Sequence, residues 1–196
     1  MNIAIIKYNA GNVQSVLYAL ARLNLQAEVT DDPEKLRAAD KVIFPGVGEA
    51  STAMTYLRAR KLDAIIHDLQ QPVLGICLGM QLLCAHSDEN DTSCIGIFEE
   101  SVKRFTPADK TLKVPQIGWN SITDLNSILF REVSAGSYVY SVHSYYVSKG
   151  EHTIATSEYG IPYSAAIHKN NFYGVQFHPE KSAAAGLQVL KNFLLS

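Results

Sequence analysis

Apolar residues follow two rhythms along the chain, and the change between them divides it in two. Residues 2–8 form a short β-branched run, and residues 12–23 then carry Val13, Val16, Leu17, Leu20 and Leu23 at the three- and four-residue spacing of an amphipathic helix. The unit recurs at 27–30 and 33–39, at 42–44 with a helical stretch over 49–69, and at 73–77 with a helix over 80–85. Alternating β and α units whose strands are apolar throughout predict a parallel sheet covered by helices on both faces, a three-layer α/β sandwich. From about Ile95 the period shortens to two, with turn residues between runs, which predicts strands at 101–105, 113–117, 138–147, 153–157, 163–168 and 172–177. This second region is richer in strand and partly antiparallel. Residues 182–195 close the chain as a helix, with Ser182 as its cap and Leu187, Leu190, Phe193 and Leu194 on its inner face. No repeat, linker or low-complexity segment interrupts the pattern, so residues 1–196 read as one domain.

Composition narrows the function more than the fold. With 47% hydrophobic and 18% charged residues the chain can build one sizeable core. A net charge of -2 leaves no broad basic field, which argues against a nucleic-acid or anionic-membrane surface and towards a small substrate or a protein partner. The N-terminus, MNIAIIKYNAGN, has neither the basic region nor the cleavage site of a signal peptide, and no apolar run reaches transmembrane length. Cys77, Cys84 and Cys94 are odd in number and lack C-x-x-C spacing, which disfavours a disulfide framework and a zinc site. The expected compartment is the cytoplasm.

The chemistry concentrates at strand ends. Gly75-Ile76-Cys77-Leu78-Gly79 sets a cysteine between an apolar run and a helix, where flanking glycines allow a sharp bend and the helix N-terminus favours thiolate over thiol. It reads as a nucleophile elbow carrying sulfur. A small, inert core cysteine is the alternative use of such a position. A cysteine nucleophile needs a base, an orienting group and oxyanion donors. His178 follows the last predicted strand, on the sheet edge where Cys77 should lie, and Pro179 should hold the segment extended so that Glu180 points the same way as His178. Pro45-Gly46-Val47-Gly48 ends another strand; a backbone N–H there, with that of Leu78, would make a two-donor hole. By itself the segment is equally a plain turn, and its spacing fits neither phosphate-binding glycine motif. Of the other histidines, His67, His86, His152 and His168 read as solvated or packed, while His143 lies in a β-prone aromatic run that could border the site. Cys84 reads as core.

Together, PGVG at 45–48, GICLGMQ at 75–81 and HPE at 178–180 resemble the class I, triad-type glutamine amidotransferases. Within that family the chain is most similar to the glutaminase subunits of imidazole glycerol phosphate synthase, through Gly11-Asn12, Met80, VPQIGWN at 114–120, VHSY at 142–145 and NFYGVQFHPEK at 171–181. The resemblance runs over essentially the whole chain. It implies a flavodoxin-like fold and no cofactor or metal. It implies hydrolysis of L-glutamine through a glutamyl thioester on Cys77, with His178 as base and then acid, Glu180 as its orienting carboxylate, and Val47, Gly48 and Leu78 at the oxyanion hole. Gly48, Gln81, Glu89, Ser144 and Tyr145 match positions that contact glutamine, Glu89 meeting the α-amino group. Asn12, Trp119, Tyr140 and Lys181 match positions facing a (β/α)8-barrel cyclase, which receives the ammonia and makes imidazole glycerol phosphate and AICAR in histidine biosynthesis. The 45–48 loop is expected to complete its hole when that partner binds its own ligand. Ser141 departs from the family, which often has a bulky residue there, and leaves the local packing open. The glutaminase of another ammonia-dependent synthase keeps the triad but changes the acceptor, and Met80 with Gly118-Trp119-Asn120 argues against it. A non-catalytic scaffold gives no reason for three distant triad residues, and a stand-alone peptidase or γ-glutamyl hydrolase needs no Trp119 surface.

Overall fold

The structure, a computed structural model, describes residues 1–9 and 11–196. Its first half runs β1 (Ile3–Ile6), α1 (Val13–Arg22), β2 (Glu28–Thr30), α2 (Pro33–Ala38), β3 (Lys41–Gly46), α3 (Ala50–Ala59), α4 (Leu62–His67), β4 (Val73–Cys77) and α5 (Leu78–Leu83). The second half runs β5 (Cys84–Ser87), β6 (Thr92–Ser93), β7 (Phe98–Arg104), β8 (Gln116–Ser121), β9 (Tyr138–His143), β10 (Tyr145–Val147), β11 (Thr153–Glu158), β12 (Pro162–Lys169), β13 (Phe172–Val175) and α6 (Ala183–Leu195). Eleven strands form one sheet in the order β2-β1-β3-β4-β13-β12-β10-β7-β5-β6, with β11 beside β12. The strands from β2 to β13 pair in parallel, and the rest pair antiparallel except β5 with β7. The mixed sheet thus follows the change of rhythm in the sequence.

Alternation along the strands divides the core. Ile3 and Ile5 pack with Val16 and Leu20 of α1 and with Val189 and Phe193 of α6, whereas Ala4, Ile6 and Phe44 pack with Leu36, Met54, Leu57 and Ile66 from α2, α3 and α4. Both faces of the parallel region are therefore covered, which is why β1, β3 and β4 are buried along their whole length, while β2, at the sheet edge, is partly exposed.

The structure revises several sequence expectations. The stretch 49–69 is two helices, because Lys61 adopts a left-handed φ of 57° between them. β3 runs two residues further than predicted and takes in Pro45 and Gly46. α5 stops at Leu83, and Cys84, buried and unpaired, begins a strand that the apolar pattern concealed. The long run 138–147 breaks at Ser144: β9 pairs with β8 in a separate two-stranded ribbon, and β10 joins the main sheet. Ser182 makes no side-chain cap for α6; its hydroxyl donates to the His178 carbonyl at 2.6 Å and accepts from the Tyr140 amide at 2.8 Å. Leu187 is only half-buried, and Val189 takes its place among the inward residues.

The tightest contact joins α5 to β3 and β4. A Cβ on Gly79 would overlap the Phe44 carbonyl oxygen, and one on Gly75 would lie 2.8 Å from the Met80 amide nitrogen. Gly79→Ala should therefore lift α5 from the sheet and cost about 3 kcal/mol, the upper range for overpacking. A urea-unfolding midpoint unchanged from wild type would contradict this.

Candidate active site

Cys77 ends β4 and begins α5 with φ 54° and ψ -109°, outside the regions that a side chain ordinarily allows. The bend is therefore carried by the cysteine itself. The flanking glycines were expected to supply it; instead they let the helix sit against the strands. Strain of about 1–3 kcal/mol persists only where surroundings over-determine the backbone, and such residues cluster at active sites. The sulfur is nearly buried, with the Val142 carbonyl at 3.9 Å and Gln176 Nε2 at 3.7 Å.

β13 pairs with β4 in parallel, Val175 opposite Ile76, so the residues after β13 emerge beside Cys77. His178 is fully buried and extended, and Pro179–Lys181 forms a 3-10 turn. Glu180 meets His178 through that turn and not along an extended segment as the sequence suggested. Its Oε1 lies 2.8 Å from His178 Nδ1, and the Asn12 amide donates to the same oxygen at 2.5 Å while lying 3.2 Å from Nδ1. His178 Nε2 is buried without a hydrogen-bond partner among the described residues. Burial pulls the imidazole's pKa down, but the neighbouring Cys77 sulfur and the Glu180 carboxylate outweigh it and hold the pKa above histidine's ordinary value. The site thus favours a protonated ring beside the sulfur.

Cys77 opens into a cavity of about 330 Å³ lined by Val47, Gly48, Leu78, Gln81, Glu89, Pro115 and the 142–145 segment. The C-terminal ends of the adjacent parallel strands β3 and β4 meet here, since Gly46 pairs with Cys77. Glu89 accepts from the Ala50 amide at 2.7 Å; burial raises its pKa, the Ala50 bond opposes this and Glu49 adds to it. Gln81 donates to the Tyr145 carbonyl at 3.1 Å and to Gln176 Oε1 at 3.0 Å, so a chain of amides runs from Gln81 through Gln176 to the sulfur. Sequence reasoning missed Gln176; a buried amide within an apolar strand run was its signal. It also missed Tyr8, whose hydroxyl donates to the Pro45 carbonyl at 2.9 Å. His143 borders the site, with Nδ1 donating to the Tyr145 carbonyl at 2.7 Å and Nε2 without a partner among the described residues. A larger hollow of about 520 Å³ lies at the opposite ends of β1 and β2, and no cysteine, serine or threonine lines it.

Trp119 and Lys181, both exposed, form a group with the half-buried Tyr140 outside the cavity. Trp119 is 53% exposed and packs edge-on to Tyr140 at 6.0 Å, and Lys181 Nζ lies 6.0 Å over the Tyr140 ring. Ile117 and Tyr138 extend this apolar strip along the β8–β9 ribbon. Asn12 sits apart from it, against the His178–Glu180 pair. Ser141 is buried on the other side of the ribbon, near Tyr163. The acidic and histidine groups that come closest to a metal-binding arrangement among the described residues are Glu99, Glu100 and His152, within 4.8 Å of one another. Lys169 already pairs with Glu99 at 2.6 Å and His152 with Glu100 at 3.0 Å, and none of the three lines the cavity.

A strained cysteine, a buried imidazole and a carboxylate in line at the end of a parallel sheet are the arrangement of a thiol acyl-transfer enzyme. The family described as glutamine amidotransferase class-I matches residues 4–196, and the chain belongs to that family. Its curated relatives narrow the branch. The chain is 57% identical to the imidazole glycerol phosphate synthase subunit HisH of Bacteroides fragilis over 99% of both chains, and 55% identical to that of Bacteroides thetaiotaomicron over the same share. The HisH of Haemophilus influenzae is 46% identical over 99% of this chain and 97% of its own. Among solved structures, a glutamine amidotransferase matches with TM-score 0.75 at 18% identity, over 98% and 97% of the two chains. PurLQS from Thermotoga maritima matches with TM-score 0.70 at 16% identity, over 99% and 97%. These last two share the fold. No helix is long and apolar enough to cross a membrane among the described residues.

Burial lowers the His143 pKa to about 4, against the Tyr145 hydrogen bond and with the charge of His178. The folded protein therefore resists a proton that the unfolded chain takes up near 6.5. Stability from this group is complete above that value and is lost as pH falls towards 4, roughly 2–3 kcal/mol by pH 4.5. His143→Gln should flatten the fall in unfolding free energy between pH 7 and 4.5. An equal fall in both proteins would contradict it.

Proposed function

We propose that the protein hydrolyses the side-chain amide of L-glutamine at Cys77 and passes ammonia to a separate cyclase subunit. The observation that carries the reading is the His178 imidazole, held at Nδ1 by Glu180 and unpartnered at Nε2 beside the strained cysteine. The Cys77 sulfur attacks the amide carbon, and the oxyanion is received by the backbone N–H of Leu78 with one from Val47 or Gly48. His178 Nε2 gives its proton to the departing ammonia, leaving a γ-glutamyl thioester; it then takes a proton from water, whose attack releases glutamate. Glu180 keeps the ring oriented and stabilises its charged form. Glu89 supports the reading by offering a carboxylate to the substrate's α-amino group across a cavity of fitting size, with Gly48, Gln81, Ser144 and Tyr145 around the rest.

Ammonia released into water is mostly ammonium, which is not a nucleophile, so a closed conduit to the consuming site has a chemical reason. We assign the Trp119, Tyr140 and Lys181 strip, together with Asn12 beside the His178–Glu180 pair, to a (β/α)8-barrel cyclase that converts phosphoribulosyl formimino-AICAR-phosphate and ammonia into imidazole glycerol phosphate and AICAR. An exposed tryptophan packed on a tyrosine is the kind of anchor that dominates such interfaces. The complex would act in the cytoplasm, bind no nucleic acid and need neither metal nor cofactor in this subunit. The residues 1–196 would act as one glutaminase domain.

Glutamate release measured for wild type and Cys77→Ala, each with and without the liganded cyclase, tests the reading. Wild type should turn over fastest in the complex, and Cys77→Ala should fall about 10³-fold or more. Trp119→Ala should weaken association by about 2 kcal/mol, roughly thirtyfold in Kd. Turnover by Cys77→Ala at the wild-type rate would remove the mechanism, and equal turnover with and without cyclase would remove the partner's control.

A further inference from the structure

We propose that Tyr8 is a positioning residue for the oxyanion loop, its buried hydroxyl clamping the Pro45 carbonyl so that backbone reorientation begins only beyond Gly46. The proposal rests on the glutaminase reading above. Tyr8 lies two residues past the end of β1 and packs its ring on Phe44 at a centroid distance of 5.3 Å. Its hydroxyl donates to the Pro45 carbonyl at 2.9 Å. Pro45 and Gly46 pair with Ile76 and Cys77, so the clamped peptide runs beside the nucleophile.

The space around the two loop glycines differs sharply. A Cβ on Gly46 would overlap the Tyr8 hydroxyl and would lie 3.0 Å from Leu78 Cβ and 3.1 Å from the Gly79 nitrogen. A Cβ on Gly48 would meet nothing within 4 Å, and Gly48 already holds φ 121°. Gly46 is thus fixed by packing, with the tyrosine hydroxyl filling the room its missing side chain leaves, and Gly48 is free to turn. The boundary between rigid and reorienting backbone falls between them, at the peptides of Val47 and Gly48 that would donate to the oxyanion. Burial raises the Tyr8 pKa, and the charge of Cys77 adds to this, so the group stays an O–H donor through the working range. Without that donor a buried carbonyl is left unpaired beside the hole.

Tyr8→Phe keeps the ring on Phe44 and removes only the donor. With the full chain and the liganded cyclase, kcat for glutamine hydrolysis should fall about tenfold with KM within twofold, since a loosened oxyanion donor loses part of what its removal would cost. Alkylation of Cys77 by iodoacetamide needs the thiolate but no oxyanion hole, and it should stay within twofold of wild type. A kcat within twofold of wild type would overturn the proposal, as would a loss of alkylation rate equal to the loss of kcat, which marks a displaced elbow and not a loosened loop. A wild type that turns over no glutamine would overturn the glutaminase reading and this proposal together. An active wild type with an unaffected Tyr8→Phe overturns the proposal alone.

Discussion

Everything at the active edge depends on how closely α5 approaches the two strands beneath it. Gly75 and Gly79 remove the atoms that would keep the helix away, and the Phe44 carbonyl of β3 occupies the place that a side chain on Gly79 would take. With strand and helix that near, no ordinary turn joins them, and Cys77 takes a backbone conformation costing about 1–3 kcal/mol. The apolar packing of α5 against both strands supplies what holds it there: Leu78, Met80, Leu82 and Leu83 are all essentially buried. The strain is therefore maintained by the core, which presents the sulfur at the sheet edge.

Around that sulfur the protein buries much polar chemistry and satisfies most of it, leaving His143 Nε2, His178 Nε2 and Glu180 Oε2 without a partner among the described residues. Asn12 and Glu180 hold His178, Gln176 holds Gln81, and the Tyr145 carbonyl takes bonds from both Gln81 and His143. An unpaired buried polar group costs about 1–3 kcal/mol, so each exception is informative. His178 Nε2 is such an exception, and a proton carrier must be one, because a nitrogen already engaged cannot exchange with a substrate. Low polarisability of the surroundings strengthens the couplings with Cys77 and Glu180 enough to overcome the burial of the ring.

The cavity wall comes from a feature of topology. At Ser144 the chain leaves the β8–β9 ribbon for the main sheet, so the Tyr145 carbonyl just beyond it receives Gln81 and His143 while the ribbon turns Trp119 and Tyr138 to solvent. The catalytic pocket and the Trp119 strip are thereby two faces of one short stretch.

The repeating β–α period, the parallel sheet, the β4 boundaries and the Cys77, His178 and Glu180 constellation were legible from local pattern, because periodicity reports which face of an element is buried and glycine or proline reports where it must turn. Legibility failed where a residue's state is set by a distant neighbour. Gly79 is needed because of Phe44, Ser182 is drawn from its helix by His178 and Tyr140, and the run 138–147 divides because its two halves find different strands. Tyr8 and Gln176 looked like ordinary strand-end residues until Pro45 and Cys77 were placed beside them. The sequence by itself determined the repeating β–α order of the first half and the chemical groups available at its strand ends. Only the tertiary structure decided which of those groups touch, because contacts between residues from 31 positions apart (Gly46 and Cys77) to 168 apart (Asn12 and Glu180) depend on strand order and register, which hydrophobic patterning leaves open.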